Sequence, residues 1–407
     1  MKSIKLLLIC LAPFFTFAQN KFFTTKGKDI IDPNGNPIVL KGTNLGNWLV
    51  PEGYMFKFKD VSSPRLINQV ITELIGPDKA ADFWEKYLNN YITKGDIQYL
   101  KRSGTNSVRI PFHYKMFTTE SYLGSNNPNR GFELLDKVIA WCKEENLPVI
   151  LDMHCAPGGQ TGDNIDDSDG YPFLFESPKS QALTIAIWKR IAQHYKNEKT
   201  VLGYDLLNEP IAHFFDNKEA LNKNLEPLYK AITAEIRKVD KNHIIFLGGA
   251  QWNSNFKVFG KPFDDKLVYS FHKYWTATTQ DVIQEYLDYS EKYQVPIHVG
   301  ETGENNDQWI LEFRTLMDKH AISWHFWPYK KMNAKSSLAT FPTPANYDLL
   351  IKYADQPKAN FADIRKYAPK DRTAIETVLN QLLENCRFDN ATTNDGYLSG
   401  LGLRTGK

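Results

Sequence analysis

The chain has 407 residues, a formal net charge of +2, and 42% hydrophobic and 24% charged residues. This ordinary globular composition excludes a low-complexity or disordered chain, and the near-neutral balance gives no footing for a nucleic-acid partner. Aromatic residues are plentiful, which suits an uncharged ligand with flat apolar faces as well as a large core.

Residues 1–18, "MKSIKLLLICLAPFFTFA", have the layout of an export signal. Lys2 and Lys5 form the positive start, Leu6 to Phe17 is mostly apolar, and Thr16 and Ala18 put small residues at the cleavage position. Cleavage near Ala18 is expected, giving a close-to-neutral mature protein in the periplasm or outside the cell. The run is too short for a membrane anchor, which needs roughly 20 apolar residues. No later stretch suggests a membrane span. Ile9 stands where a lipoprotein site at Cys10 would need a small residue. The other cysteines are Cys142, Cys155 and Cys386, without C-x-x-C spacing, so neither a disulfide framework nor a structural zinc site is supported; one pair stays open.

"DIIDPNGNPIVL", from Asp29, carries an Asn-Gly turn between apolar arms and predicts a short β-hairpin. Eight short apolar runs come next, beginning at Val39, Ser107, Pro148, Val201, His243, Leu267, Pro296 and Ile322. They are rich in Val, Ile and Leu and do not alternate, as strands covered on both faces should read. Amphipathic stretches such as "SQALTIAIWKRIAQHYKNE" separate them. The expected fold class is α/β, a (β/α)8 TIM barrel with the hairpin as a lid over its bottom. "GTNLGNW" after the first strand does not match the G-x-G-x-x-G of a dinucleotide fold. One catalytic domain is expected over 19–387, ending in a helix pair from about Tyr347, then a polar tail over 388–407.

In such a barrel the active site lies where the strands end. Polar residues gather there: Asn44 at the first strand, Arg109 and His113 at the second, Asp152 and His154 at the third. Asn208 and Glu209 come after the fourth, His272 and Tyr274 the sixth, Glu301 the seventh, Trp324 and Trp327 the eighth. Either glutamate alone could be a loop carboxylate or half of an ion pair. Two of them, on nearly opposite strands, form the pair that glycosidic cleavage needs: one protonated to assist the leaving oxygen, one ionised to attack or stabilise the sugar centre.

"LLNEP" at 206–210, "VGETG" at 299–303, "SVRIPF" at 107–112 and "LDMHCAPGG" at 151–159 resemble glycoside hydrolase family 5. Within it, "LGNWLVPEGY" and "HCAPGGQTG" are similar to the exo-β-1,3-glucanase-like branch. The resemblance implies Glu209 as acid/base and Glu301 as nucleophile, in a retaining mechanism without metal or cofactor. It also implies substrate contacts from Glu52, Arg109, His154, Asn208, His272, Tyr274 and Trp327. Arg109 would sit beside Glu301, Asn208 would bind the sugar 2-hydroxyl, and Trp327 would be the stacking floor. The implied substrate is an oligo- or polysaccharide, with β-1,3-glucan favoured. An endo-β-1,4-glucanase and a glucosylceramide-type β-glucosidase stay open, and a monomer is expected. "HYKMF" after the second strand departs from the branch's Gly-Tyr-Trp pattern.

Two rival classes are weaker. A metal-dependent barrel hydrolase would show His-x-His on the first strand, and a sugar-binding barrel without catalysis would have replaced one glutamate. The loop from Gly159 to Ser177 holds Asp163, Asp166, Asp167 and Asp169. It reads as a cleft wall, with calcium as the alternative, although it lacks EF-hand spacing.

Overall fold

In the computed structural model, residues 22–407 are described. The expected export signal lies outside them. Eight strands close into a parallel barrel: β4 (Lys41–Asn44), β5 (Ser107–His113), β6 (Val149–Cys155), β7 (Val201–Asp205), β8 (Ile244–Gly248), β9 (Leu267–Tyr274), β10 (Ile297–Gly303) and β11 (Ser323–Phe326). Each pairs with its sequence neighbour, and β11 returns to β4. All eight coincide with the predicted runs. Strands β5 to β8 are buried along their whole length, which is why they carry no alternation.

The intervening helices are sharply punctuated. Thr93 and Asp96 form a capping box at the start of Lys94–Ser103, and Gly104 ends that helix in the left-handed conformation. Ser177 caps Pro178–Tyr195, with proline in its first turn.

The N-terminal element is larger than the expected hairpin. Three antiparallel strands, β1 (Thr24–Lys26), β2 (Asp29–Ile31) and β3 (Pro37–Ile38), form a meander. Its position is as expected. Ile30 and Leu40 pack against Ile150, Leu202, Ile244, Phe246 and Val268 in a separate apolar cluster, closing the barrel where those strands begin.

The C-terminal region also differs. Three helices, Asp348–Ala354, Phe361–Tyr367 and Arg372–Asn385, stand where a pair was expected. A small sheet comes after the barrel, made of β12 (Lys330–Met332), β13 (Ala339–Phe341) and β14 (Thr392–Thr393). Residues 388–401 therefore do not hang free as a tail: β14 pairs with β13, and Tyr397, Leu398 and Leu401 are buried. They stand just behind a polar stretch, Thr392 to Asp395, which makes the segment read as a tail. Cys142, Cys155 and Cys386 are all buried and unpaired. Among the described residues no helix is long and apolar enough to cross a membrane.

Candidate active site

Arg109 is the hub of the strand-end cluster. Its side chain is fully buried. Nε donates to Asp205 Oδ2 at 2.9 Å, Nη1 to Glu301 Oε1 at 2.7 Å and Asn44 Oδ1 at 3.0 Å, and Nη2 to Asn208 Oδ1 at 2.9 Å. Asp152 Oδ1 lies 3.1 Å from Nη2. The planar fork thus gathers side chains supplied from β4, β6, β7 and, across the pore, β10. Lysine has no such geometry. Three carboxylates around one cation in a dry core cannot all hold full charge cheaply, and burial pushes Asp152 up to about 7 and Asp205 to about 6.

Glu209 stands just beyond β7, with its backbone in the left-handed region at φ 47°. The regular ladder of β7 ends at Asp205, and Leu206 and Asn208 keep only single bonds to Phe246 and Met153 of the flanking strands before the chain turns at Glu209. Its main chain is pinned on both sides: Thr161 Oγ1 donates to its carbonyl at 2.8 Å, and its N–H donates to Asn253 Oδ1 at 3.1 Å. Such strain persists only where the surroundings over-determine the conformation. Burial raises its carboxyl to about 7, against the opposing pull of the Arg109 guanidinium.

Glu301 faces it. One carboxylate oxygen of each, together with a His272 ring nitrogen, lie within 4.8 Å of one another. His272 Nδ1 is 2.9 Å from Glu209 Oε1 and 3.8 Å from Glu301 Oε2, and Tyr274 donates its hydroxyl to Glu301 Oε2 at 3.1 Å. His154 Nδ1 is 2.8 Å from Asp152 Oδ2. Burial drives both histidines down, His154 to about 4 and His272 to about 3, so both rings are neutral at physiological pH.

The walls are apolar and aromatic. Trp327 lies parallel to the His154 ring at 5.5 Å and donates its indole N–H to the Tyr54 hydroxyl at 2.8 Å. Trp327, Tyr54, Trp252 and Trp275 line a cavity of about 620 Å³ that contains both glutamates. Glu52 also lines it, 5% exposed, with Oε1 free of any protein partner. Its pKa is well above the usual range, through burial and then the charge of Glu301.

All nine site residues expected from the sequence therefore meet in or directly beneath one cavity. Two other strand-end residues do not. His113 is stacked on Tyr122 and paired with Asp167, and Trp324 is buried with its indole N–H on Asp318. In the aspartate loop, Asp163 lines the cavity beside Asn164 and Ile165, so the loop does form a wall. Its carboxylates are taken up by protein partners: Asp163 accepts the N–H of Asn164, Asp166 those of Thr161, Gly162 and Ser168, Asp167 that of Arg65, and Asp169 pairs with the Arg65 guanidinium.

Asp205, Asn253, Tyr54 and Trp252 were not singled out by sequence. A signal existed for two of them. Asp205 is the one charged residue in the apolar run of β7, and Asn253 lies shortly after β8, at the same end of the barrel as the other site residues.

An eight-stranded parallel barrel with paired glutamates at the strand ends, in an aromatic cavity, defines a glycoside hydrolase. The chain belongs to glycoside hydrolase family 5: the family model for cellulase (glycosyl hydrolase family 5) matches residues 69–333. It is 30% identical over 256 residues to a beta-xylosidase of Phanerodontia chrysosporium, covering 62% of this chain and 52% of that one. Against a probable glucan 1,3-beta-glucosidase A of Emericella nidulans it is 30% identical over 202 residues, 49% of this chain and 48% of the other. The chain thus spans about half the length of these two relatives. Its fold also matches the crystal structure of an endogalactoceramidase, with TM-score 0.57 and 17% identity over 77% of this chain and 75% of that one.

Proposed function

We propose that the protein is an exported, retaining β-glucosidic hydrolase acting on β-glucan, with β-1,3 linkages favoured. The observation that carries this reading is the close approach of the Glu209 and Glu301 carboxylates, with oxygens within 4.8 Å. Retaining enzymes hold their two carboxyl groups about 5–5.5 Å apart, whereas inverting enzymes leave room for a water at about 6.5–9.5 Å. Glu209, buried and raised to about 7, protonates the leaving oxygen. Glu301, ion-paired to Arg109, attacks the anomeric carbon from the other face and forms a covalent glycosyl-enzyme. Glu209, now ionised, deprotonates the water that releases the sugar. Asn208 holds the 2-hydroxyl, Trp327 stacks under the ring, and Glu52, His154, His272 and Tyr274 complete the subsite. The β-1,3 preference rests on the branch motifs and on the name of the Emericella nidulans relative.

Linkage is tested with laminarin, carboxymethylcellulose, mannan and an aryl β-glucoside, sizing the products over time. Early release of glucose alone from laminarin is expected. A ladder of oligomers from the cellulose derivative would overturn the β-1,3 assignment. Export is checked by N-terminal sequencing of the mature protein, which should begin at Gln19.

The pH dependence has a definite sign. Glu209 must carry a proton in the free enzyme, so kcat/KM for a poor leaving group should fall as pH rises through about 7. Asp152 titrates in the same range, so the limb needs an assignment. A 2,4-dinitrophenyl β-glucoside, whose leaving group needs no proton, should lose the alkaline limb. A limb that persists with this substrate belongs to another group.

A further inference from the structure

We propose that Asn253 is the positioning residue that sets which nitrogen of His272 carries the proton, and thereby leaves the acid proton of Glu209 free for the substrate. The proposal rests on the reading of Glu209 as acid/base, but its first test does not.

Which atoms are able to donate decides the tautomer. The Glu209 backbone N–H faces an oxygen of the Asn253 amide at 3.1 Å. A backbone N–H only donates, so that amide atom must be Oδ1. The amide nitrogen then faces His272 Nε2 at 3.0 Å, and an NH2 group also only donates. Nε2 must offer a lone pair. A neutral imidazole has one proton left to place, and it goes on Nδ1, 2.9 Å from Glu209 Oε1.

The consequence lies at the carboxyl group. If Oε1 accepts from His272, the acid proton of Glu209 resides on Oε2, where the leaving oxygen is able to take it. In the other tautomer Nδ1 would be a lone pair, and the Glu209 O–H would be tied to it.

Asn253 is held for this task by unusual means. Gln251, Trp252 and Asn253 all lie in the left-handed region, at φ 50°, 57° and 58°, and none is glycine. Gln251 anchors the run: its side chain donates to Asn222 Oδ1 at 2.9 Å and accepts from Asn255 Nδ2 at 2.7 Å. Gly248 leaves the space, since a Cβ there would lie 2.2 Å from Asn253 Oδ1. Asn253 is itself fully buried.

The same arrangement recurs across the site. Arg109 Nη2 donates to Asn208 Oδ1, so Asn208 Nδ2 faces His154 Nε2, at 3.3 Å, and His154 donates from Nδ1 to Asp152. Burial keeps His272 neutral, with a single ring proton to place. The charged and titratable groups facing it are Glu209, Glu301, Arg109 and His154, and those facing Glu209 include His154, Arg109 and Asp163.

The test is a long-range proton–nitrogen NMR correlation on enzyme labelled with ¹⁵N-histidine, with His272 assigned by its loss in His272→Gln. His272 should show a protonated Nδ1 and a bare Nε2 in wild type. Bare Nδ1 and protonated Nε2 would overturn the proposal, and this result needs only the His272→Gln assignment, so it stands even if Asn253→Asp fails to fold. Asn253→Asp keeps an oxygen for the Glu209 N–H but presents only an acceptor to Nε2, so the proton should move to Nε2. In that variant kcat/KM for an aryl β-glucoside with a poor leaving group should fall on the order of 10²-fold more than for the 2,4-dinitrophenyl glucoside. An unmoved proton, or equal losses on both substrates, would count against it. If Glu209 is not the acid, Glu209→Ala will show no leaving-group dependence while the tautomer result stands, so the two failures are separable.

Discussion

Glu301→Gly is expected to lose turnover of β-glucosides on the order of 10⁴-fold or more, and to regain part of it with azide on an activated substrate. The rescued product should be the α-configured glycosyl azide. With the nucleophile gone, azide enters only from the face where Glu301 stood, and a single inversion results. Glu209→Ala should behave in the opposite way. The covalent intermediate still forms when the leaving group needs no proton, and azide, which needs no base, then displaces Glu301 in a second inversion. The product is the β-configured azide, and substrates with poor leaving groups should suffer far more than activated ones. Product NMR showing the reverse pattern would mean that the two glutamates have been assigned the wrong way round. Wild-type activity in either variant would remove that residue from the mechanism.

Arg109→Met should be the most damaging single change to the fold around the site. It leaves Asp152, Asp205 and Glu301 facing one another in the core without their shared cation. Removing one partner of a buried pair typically costs about 3–5 kcal/mol, so urea unfolding at neutral pH should show a loss of that size. The sign with pH is fixed by the carboxylates. Asp152 and Asp205 already sit above their unfolded values through burial, and without the guanidinium they rise further, so the stability deficit should shrink as the pH falls and protons neutralise them. A deficit independent of pH would mean that the loss is one of packing, not of charge. Arg109→Lys keeps the charge but not the fork. It should unfold less readily than Arg109→Met yet still lose on the order of 10²-fold in kcat, because Glu301 and Asn208 are no longer aimed together.

Much of this was written locally in the chain. Strands β5 to β8 are legible because burial on both faces requires uninterrupted apolar runs, and polar strand ends mark the one face of a barrel where side chains reach the cavity. Counting strands was enough to bring Glu209 and Glu301 into one site, along with Arg109, Asn208, His272, Tyr274 and Trp327. Local pattern also found the turn at Asn34–Gly35, but not β1, whose "TTK" has no apolar signature. Residues 388–401 read as polar because their few apolar side chains find the barrel only after the chain has folded back.

What the tertiary structure alone decided is direction. Asp205 lies within the same short run that delivers Glu209, yet only the barrel brings it to Arg109 Nε at 2.9 Å. Asn253 sits 44 residues beyond Glu209 and governs it through a hydrogen bond that no periodicity encodes. The left-handed backbone at Glu209 and at Gln251 to Asn253 is equally invisible, since none of these residues is glycine. Apolar burial is additive and nearly non-directional, so a one-dimensional pattern records it well. Hydrogen bonds and proton positions depend on which donor meets which acceptor in space, and that is determined only when strands distant in sequence close into one ring.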